Sequence, residues 1–414
     1  MVKTINKHKF KFKFNFNKTN KKHKNNNKLV DVIIIGAGAA GLSAAKYLQQ
    51  NNKNVIVLEA RKRIGGRIYD VNIKGFGKIP LGAAWLHYKQ NVWKNYHNKN
   101  HVLKDLLDQL NIKYIKSDGL NNNEHLKLYD HKGFLYQDKK ILNLLNDFPK
   151  VICNYCKKHP NTILSDSIKK ILKQYNLPED IINAFINRTT EHSSLNADLM
   201  KCKNYDCWKP NGDIVIDGYG KLIKKLAKNI NIQLKSEVKK IQQFNEYVKV
   251  KTKNKLYTSK YLIITVPLGV LKKGSIKFTP KLPIEKIKSL KHIYTGTHEK
   301  LFLRFPYCFW EKNTHVFHYS DKENRGLCTQ WQNLQFNNKH ILYTNISGPD
   351  IKFTSKSNKE LKDICMKNLR KIFGDDIPEP INFYMTNWKK DPFTLGAAHS
   401  QPNLNGTKKD FKII

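Results

Sequence analysis

Three glycines and one acid near the start of the chain have the spacing of a dinucleotide-binding site. Gly36, Gly38 and Gly41 form a G-x-G-x-x-G pattern, and Glu59 follows after one further apolar run. The first glycine of this pattern permits a tight turn, the second lets backbone approach a pyrophosphate, and the third lets a helix pack close to a strand. An acid at the place of Glu59 accepts hydrogen bonds from a ribose diol and repels a 2′-phosphate. These residues predict a site for the adenosine half of FAD or NAD.

The segments around the glycines predict the elements that such a site requires. The β-branched run 32–35 favours a strand covered on both faces, 42–50 a helix, and 55–58 a second strand. Backbone N–H groups at Ala39 and Ala40 would face an anion at the start of the helix. Glycines alone also mark ordinary turns, but the order strand, glycines, helix, strand and acid favours a dinucleotide site over an incidental βαβ unit.

A second phosphate contact is predicted directly after Glu59. Ala60 and Arg61 lead into a glycine pair that includes Gly66 and is followed by Arg67. Open glycine backbone and planar guanidinium groups suit bidentate binding of phosphate oxygens. The alternative is a surface turn with solvated arginines. The position of this segment directly after the dinucleotide pattern favours the phosphate contact.

Small residues in the next motif would let backbone lie against a flat ring. Gly82, Ala83 and Ala84 precede Trp85 in the run LGAAWLH. With GAGAAGL and VLEARKRIGGR, this run resembles the flavin-containing amine oxidases, the family of polyamine oxidases, monoamine oxidases and lysine-specific histone demethylases. The resemblance extends over residues 29–400 and includes PLGVLK at 267–272 and W-x-x-D-P at 388–392. It implies non-covalent FAD, a small-molecule amine substrate and dioxygen.

The resemblance also implies roles for five residues outside the glycine motifs. Val238 would make a backbone contact to the adenine, and Lys300 would hold a water at the reactive flavin nitrogen. His87 would hydrogen-bond a substrate nitrogen, although a packing histidine is an equal alternative. Glu191 would pair with a substrate ammonium, and Trp388 would form an aromatic wall. For these two residues the alternatives are a solvated surface acid and a core tryptophan.

The fold implied by the resemblance is α/β. It has a Rossmann-like FAD-binding domain and a discontinuous α+β substrate domain made of an antiparallel sheet and helices. The predicted division is a disordered basic tail at 1–28, FAD-binding parts at 29–101 and 207–275, substrate-domain parts at 102–206 and 276–400, and a truncated return to the FAD domain at 401–414.

Two departures from the family pattern weaken the expected activity. His399 stands where the family has a tyrosine, and the sequence ends at Ile414 before the family's FAGE-type strand and last helix. We therefore expect looser flavin retention. The leading hypothesis is an FAD-dependent oxidase of a polyamine-like amine that yields an imine, for hydrolysis by water, and hydrogen peroxide. The alternatives are a catalytically impaired flavoprotein fold that acts as a binding module, and a histone-lysine demethylase-like enzyme.

The net charge and the cysteine spacing suggest a nucleic-acid partner and a zinc site, but neither suggestion is strong. The 414 residues carry a net charge of +42, which usually indicates a nucleic-acid partner. Lysine and asparagine are enriched throughout the chain, which favours a general compositional bias over a shaped basic patch. No specific nucleic-acid partner is therefore expected. Seven cysteines are too scattered for a disulfide framework. The pairs Cys153/Cys156 and Cys202/Cys207 could ligate zinc, but ordinary thiols are favoured, with no metal.

No segment approaches the roughly 18 apolar residues of a membrane span, and the N-terminus lacks the apolar region of a secretory signal. These observations predict no membrane association and, with the cysteines unpaired, a reducing, cytoplasmic location.

Overall fold

The computed structural model describes residues 30–86, 102–115, 126–207, 213–215, 218–322, 325–334, 339–347, 356–397 and 400–414. The side chains of residues 102, 115, 190–193, 213 and 214 are not described. The predicted tail 1–28, His87 and His399 therefore lie outside the described residues, as does the side chain of Glu191. The chain divides into two compact units, the first made of residues 1–64 and 223–265 and the second of residues 65–222 and 266–414.

Strands and helices are numbered here along the chain. The strands are β1 (Val30–Ile35), β2 (Val55–Leu58), β3 (Asp70–Ile73), β4 (Gly77–Pro80), β5 (Trp85–Leu86), β6 (Tyr114–Ile115), β7 (Leu126–Tyr129), β8 (Asp213–Val215), β9 (Asn231–Gln233), β10 (Val238–Gln243), β11 (Val248–Thr252), β12 (Leu256–Ile264), β13 (Lys277–Thr279), β14 (Ile293–Thr295), β15 (His298–Arg304), β16 (Val316–Tyr319), β17 (Gln330–Asn333), β18 (Ile341–Ser347), β19 (Asn382–Met385) and β20 (Ser400–Pro402). The α-helices are α1 (Ala39–Gln50), α2 (Val102–Gln109), α3 (Lys139–Lys158), α4 (Leu164–Leu172), α5 (Glu179–Ser193), α6 (Gly220–Ala227), α7 (Leu268–Lys273), α8 (Ile284–His292), α9 (Asn358–Phe373) and α10 (Asp410–Ile413).

The first unit contains the predicted βαβ arrangement. Its strands lie in the order β10-β11-β12-β1-β2-β9, and β1 pairs in parallel with both β12 and β2. Ile33 and Ile34 of β1 are fully buried, which is typical of a parallel strand covered on both faces. The helix between β1 and β2 begins at Ala39, earlier than the predicted residue 42.

The second unit is built around a six-stranded sheet with the order β19-β15-β18-β17-β16-β7. Neighbouring strands are antiparallel except β7, which runs parallel to β16. Together with the parallel strands β12, β1, β2 and β9 of the first unit, this confirms the predicted fold class. One face of the six-stranded sheet is apolar: Leu301, Trp331 and Leu342 share a buried cluster with Leu361 and Leu369 of α9.

The opposite face of this sheet meets the helices α3, α4 and α5. Leu126 and Leu128 of β7 belong to one buried cluster with Phe148 of α3 and Phe185 of α5. The two phenylalanine rings meet edge to face, with centroids 4.8 Å apart. Such pairing is favourable for aromatic rings. The helical layer is therefore anchored to one end of the sheet.

Backbone geometry sets the end of one helix and the start of one strand. The helix α4 ends at residue 172 and continues as a 3-10 turn up to Asn176, whose φ of 47° is left-handed. The strand β17 begins only at Gln330, because Gly326 and Cys328 have φ values of 86° and 52°. A pleated strand requires negative φ.

The prediction that the cysteines are unpaired is wrong. Three disulfides join Cys153 to Cys207, Cys156 to Cys202 and Cys328 to Cys365. Their Cα–Cα distances of 5.1, 4.7 and 5.4 Å lie in the usual range for disulfides. Sequence spacing did not reveal the pairs, because the partners are 37 to 54 residues apart. The cysteines consequently give no support to a reducing compartment.

No helix in the described ranges combines the length and the apolar character needed to cross a membrane.

The disulfides lead to a direct count of reactive thiols. Cys308 is the cysteine outside the three bonds, and its thiol donates to the Trp310 carbonyl. We expect a thiol-alkylating reagent to label one cysteine in the denatured, unreduced chain and all seven after reduction, as measured by intact mass. Labelling of three or more thiols before reduction would contradict the pairing.

Candidate cofactor site and active site

The glycine turn of the first unit has the geometry that a dinucleotide site needs. Gly36 has a φ of 106°, which favours glycine. A Cβ on Gly41 would lie 1.9 Å from the Gly36 carbonyl oxygen and 2.8 Å from Oγ1 of Thr265. A Cβ on Gly38, by contrast, would meet nothing within 4 Å. Gly36 and Gly41 are thus required by the protein itself, whereas the space at Gly38 is open for a ligand.

The start of α1 leaves donors available for an anion. Its N-cap is Gly38, which offers no side-chain cap, and the first turn contains no acid. The first N–H groups of a helix have no partner inside the helix, so Ala39 and Ala40 present donors to the open space at Gly38. A pyrophosphate fits this arrangement in both charge and room.

Glu59 is held in place by backbone N–H groups. It is 7% exposed, and its two carboxylate oxygens each accept one bond at 2.8 Å, from the N–H groups of Ala37 and Arg61. A carboxylate offers about four acceptor positions, so positions remain for a ribose diol. The Glu59 carbonyl accepts from the Ser236 N–H at 2.8 Å. That bond brings the segment before Val238, which is buried at the start of β10, next to the acid.

The predicted phosphate contact at residues 66–67 and the small-residue motif at residues 82–85 pack on each other inside the second unit. Gly66 has a φ of 58°, and the Arg67 carbonyl accepts from the Ala83 N–H at 3.2 Å. A Cβ on Gly82 would lie 1.7 Å from that same carbonyl oxygen. The exposed Arg67 side chain donates to the carbonyl of Ala397 at 2.9 Å. Only glycine at 82 permits this close approach of the two backbones.

Hydrogen bonds to backbone carbonyls also fix the end of the small-residue motif at residues 82–85. The Ala84 carbonyl accepts from the Val215 N–H at 2.8 Å, and the Trp85 carbonyl accepts from the Tyr219 hydroxyl at 2.9 Å. Ala84 is buried and Trp85 is half-buried. The segment that would lie against a flavin ring is therefore rigid in its backbone.

Lys300 is a buried cation that reaches this segment. It lies in β15 and is 5% exposed, and its Nζ donates to the carbonyls of Pro80 at 3.1 Å and Gly82 at 2.8 Å. Nζ also lies 5.7 Å from the centre of the Tyr343 ring. Burial lowers the pKa of Lys300 to about 8, although the nearby carboxylate of Asp70 acts in the opposite direction. At neutral pH this amine is close to the point at which it loses its proton.

Trp388 joins Lys300 at the same backbone segment. It is 7% exposed, and its indole N–H donates to the carbonyl of Leu81 at 3.2 Å. The consecutive carbonyls of Pro80, Leu81 and Gly82 thus accept from the two residues that the sequence predicted for catalysis and substrate contact. The structure brings these two predicted residues together.

Glu299 is a positioning residue that sequence reasoning missed. It is 1% exposed and accepts from the Thr386 hydroxyl at 2.5 Å, the Trp388 N–H at 2.9 Å and the Lys389 N–H at 2.8 Å. Burial raises the pKa of Glu299, and these hydrogen bonds oppose the rise. The side chain ties the Trp388 loop to the strand that carries Lys300. Its only signal in the sequence was an acid next to Lys300, directly before the apolar run that begins at Leu301.

A row of buried polar residues extends from Lys300 across the sheet. Lys300 stands opposite Asn345, and His318 stands opposite Gln330. The β17–β18 register places Trp331 opposite Thr344, and hence Gln330 next to Asn345. Directly opposed residues share one face of a sheet. Lys300, Asn345, Gln330 and His318 therefore form one line, here called the polar row, and each is at most 7% exposed.

A small cavity covers the far end of the polar row. It is lined by Asn345, Gln330 and His318 of the row, by Ser347, and by Asn187 from α5. It is about large enough for one water molecule. Glu191 follows Asn187 by one turn of α5, but its side chain is outside the description, and so is His87. The structure does not test the roles predicted for these two residues.

The family model described as flavin containing amine oxidoreductase matches residues 39–411. The chain belongs to this family. The resemblance stated from the motifs is thereby confirmed, and so is FAD as the cofactor.

Two groups of relatives match this chain. Human lysine-specific histone demethylase 2 is 28% identical over 92% of this chain and 48% of its own length. Polyamine oxidase 4 of rice is 28% identical over 88% of this chain and 77% of its own length. The chain thus spans about half of the demethylase. A putrescine oxidase structure, bound to putrescine, matches with a TM-score of 0.71 and 17% identity over 91% of this chain and 89% of that chain, which shows a shared fold.

Two glycine substitutions should separate folding from FAD binding. Gly41→Ala should lower the free energy of unfolding by about 1–3 kcal/mol and also weaken FAD binding, because its Cβ overlaps the Gly36 carbonyl. Gly38→Ala should change stability by less than about 0.5 kcal/mol yet still weaken FAD binding. Denaturant unfolding and flavin titration measure the two effects. Equal stability losses in both variants would contradict the assigned roles.

The buried carboxylate of Glu299 can be tested in the same way. Glu299→Gln should lower the free energy of unfolding by about 1–3 kcal/mol, since an amide cannot accept from all three donors. It should also change the fluorescence of Trp388, whose backbone it holds. The exposed Glu246→Gln is the matched control and should be neutral. A neutral result for Glu299→Gln in thermal unfolding would show that it does not position the loop.

Proposed function

We propose that the chain is an FAD-dependent amine oxidase whose reaction takes place at Lys300. When FAD is bound, its isoalloxazine accepts a hydride from the carbon beside the amine, and dioxygen then takes up the electrons and yields hydrogen peroxide. The amine becomes an imine, and water converts the imine to a carbonyl compound and a free amine. The observation that carries the proposal is the convergence of buried Lys300 and Trp388 on the carbonyls of residues 80–82.

The hydrogen bonds of Lys300 determine what its amine can do. A neutral amine has two N–H donors and one lone pair, and the carbonyls of Pro80 and Gly82 take up both donors. The lone pair is then left to accept a proton from a water molecule. In the protonated form, the third N–H can donate to that water instead. Either form positions a water, and only the neutral form can act as a base toward imine hydrolysis.

The surrounding residues limit the access of bulk water to the Lys300 amine. Lys300 is 5% exposed and Trp388 is 7% exposed, so bulk water has little access to the amine. Phe302 and Tyr343, whose rings are stacked with centroids 5.3 Å apart, cover the next row of the sheet face. A site that excludes bulk water strengthens each electrostatic interaction within it.

The substrate predicted from the sequence is a polyamine-like amine, and the flavin is expected to be non-covalent. Similarity to rice polyamine oxidase 4 over most of both chains supports this choice. The net charge of +42 opposes it, because long-range repulsion slows the approach of a polycation. Glu191 could offset the repulsion locally.

Histone-lysine demethylation is a second candidate. It is the same oxidation applied to an N-methyl group, and human lysine-specific histone demethylase 2 aligns with 92% of this chain. The two candidates differ in substrate size and require the same flavin and lysine.

The proposal is tested by adding substrates anaerobically to the purified chain supplied with FAD. We expect spermine to bleach the flavin absorbance at about the rate of a slow oxidase turnover, roughly one to ten per second, and peroxide to appear when oxygen is admitted. Bleaching by a methylated histone peptide but not by spermine would favour the demethylase. A bound flavin that no amine bleaches would contradict both.

The buried lysine predicts a specific pH dependence. Burial lowers the pKa of Lys300 to about 8, so its neutral fraction grows as pH rises through 8, and turnover should rise with it. Lys300→Met should reduce turnover by about 100-fold and remove that step from the profile. The exposed Lys277→Met should leave the profile unchanged. A step near pH 8 that survives in Lys300→Met would assign the ionisation to another group.

A further inference from the structure

Asp70 is a half-buried acid beside the candidate active site. It lies in β3 directly opposite Pro80 of β4, and the Pro80 carbonyl accepts from Lys300 Nζ at 3.1 Å. Directly opposed residues of an antiparallel pair have Cβ atoms about 4.5–5.5 Å apart on one face. The strand register therefore places the Asp70 side chain next to the residue whose carbonyl holds the Lys300 amine.

The backbone around this carboxylate is shaped to admit it. Asp70 Oδ2 accepts from the N–H of Gly220, the first residue of α6, at 2.5 Å. A Cβ on Gly218 would lie 2.3 Å from Asp70 Cγ, and a Cβ on Gly220 would lie 2.8 Å from Oδ2. Glycine at both positions leaves room for the carboxylate, and the bond to Gly220 fixes its orientation.

The second carboxylate oxygen of Asp70 has no hydrogen-bond donor. Oδ1 is buried, and no partner for it is present among the described residues. Burial raises the pKa of Asp70, while the Gly220 N–H and the charges of Lys78 and Lys300 act in the opposite direction. Lys78 is exposed, so water and salt screen its charge, whereas a buried charge is screened much less. Lys300 is therefore the buried cation that this carboxylate faces.

The interaction bears directly on what Lys300 does as a base. Burial lowers the pKa of Lys300 to about 8, and Asp70 opposes that effect. When the neutral amine takes up a proton, an ammonium forms in a buried site, and a nearby carboxylate stabilises that ion. The ring of Tyr343, 5.7 Å from Nζ on β18, also attracts a cation but carries no net charge while its hydroxyl is protonated.

We propose that Asp70 is the buried counter-ion of Lys300 and stabilises the ammonium that forms when Lys300 takes a proton from water. In that step an O–H bond of water breaks and an N–H bond forms at Lys300. The hydroxide oxygen bonds to the carbon of the protonated imine, and the C=N electron pair moves to nitrogen. Asp70 keeps its charge throughout and acts only through Lys300, so it is a positioning residue. The inference rests on the proposed amine oxidation at Lys300.

The test removes the charge of Asp70 and keeps its shape. Asp70→Asn retains an oxygen that can accept from the Gly220 N–H. In NMR spectra of the full chain with isotope-labelled lysine, the Cε signal that is lost in Lys300→Met reports the ionisation of Lys300 without flavin or substrate. Its midpoint should lie near pH 8 in the unsubstituted chain. In Asp70→Asn the midpoint should fall by at least about 0.5 pH, roughly a three-fold change in the ionisation constant.

A second helix start supplies the matched control. Asp138 is exposed and accepts from the N–H groups of Lys140 and Ile141 at the start of α3, so Asp138→Asn removes the same charge from a similar contact. It should leave the Lys300 midpoint unchanged. Asp70→Ser, whose smaller hydroxyl can also accept from the Gly220 N–H, is prepared in parallel in case Asp70→Asn does not fold, and it should lower the midpoint likewise. A purely structural role of Asp70 would reduce stability without moving the midpoint.

The pH profile of flavin bleaching separates this inference from the proposed function. The rise in bleaching rate should move to lower pH in Asp70→Asn by the same amount as the Cε midpoint. A lower midpoint in a chain whose flavin no amine bleaches would support the counter-ion and contradict the oxidase. Bleaching together with a midpoint that Asp70→Asn leaves in place, or that Asp138→Asn moves equally, would support the oxidase and overturn the counter-ion.

Discussion

The buried amine of Lys300 is the constraint that shapes the second unit. A cation removed from water requires acceptors, and Lys300 obtains them from the backbone carbonyls of Pro80 and Gly82. Those carbonyls must therefore be held at the sheet, and the close contact of Gly82 with the Arg67 backbone holds them. The indole N–H of Trp388 donates to the carbonyl of Leu81, which lies between them. The glycine motif at 82 is thus explained by a lysine more than two hundred residues away in sequence.

The six-stranded sheet divides two tasks between its faces. The face against α9 is apolar and supplies stability, with residues such as Leu301 and Trp331 fully buried. The other face carries the polar row, which removes four polar side chains from water where leucines would stabilise the fold more. Natural sequences break the apolar rule mainly at functional sites. The sheet is therefore a scaffold on one side and, under the proposed function, a binding surface on the other.

The sequence was informative where structure is local and much less so where it depends on register. The βαβ unit, the glycine turn and Glu59 follow from patterns within about thirty residues, and the structure has them. Lys300 and Trp388 were reached through the family resemblance. The polar row could not be found, because its members come together only through the pairing of four strands. Glu299 and the three disulfides are non-local in the same way, and no spacing along the chain encodes them.

The wall of the cavity depends on how firmly α5 is held against the sheet. Asn187 and Arg188 lie on this helix, and Phe185 of the same helix packs on Phe148 of α3. Two disulfides join α3 to residues 202 and 207, so the helix that supports α5 is itself fixed covalently. A cavity keeps its shape only when its supporting elements are rigid. The disulfides, which the sequence did not predict, thus support the same surface as the polar row.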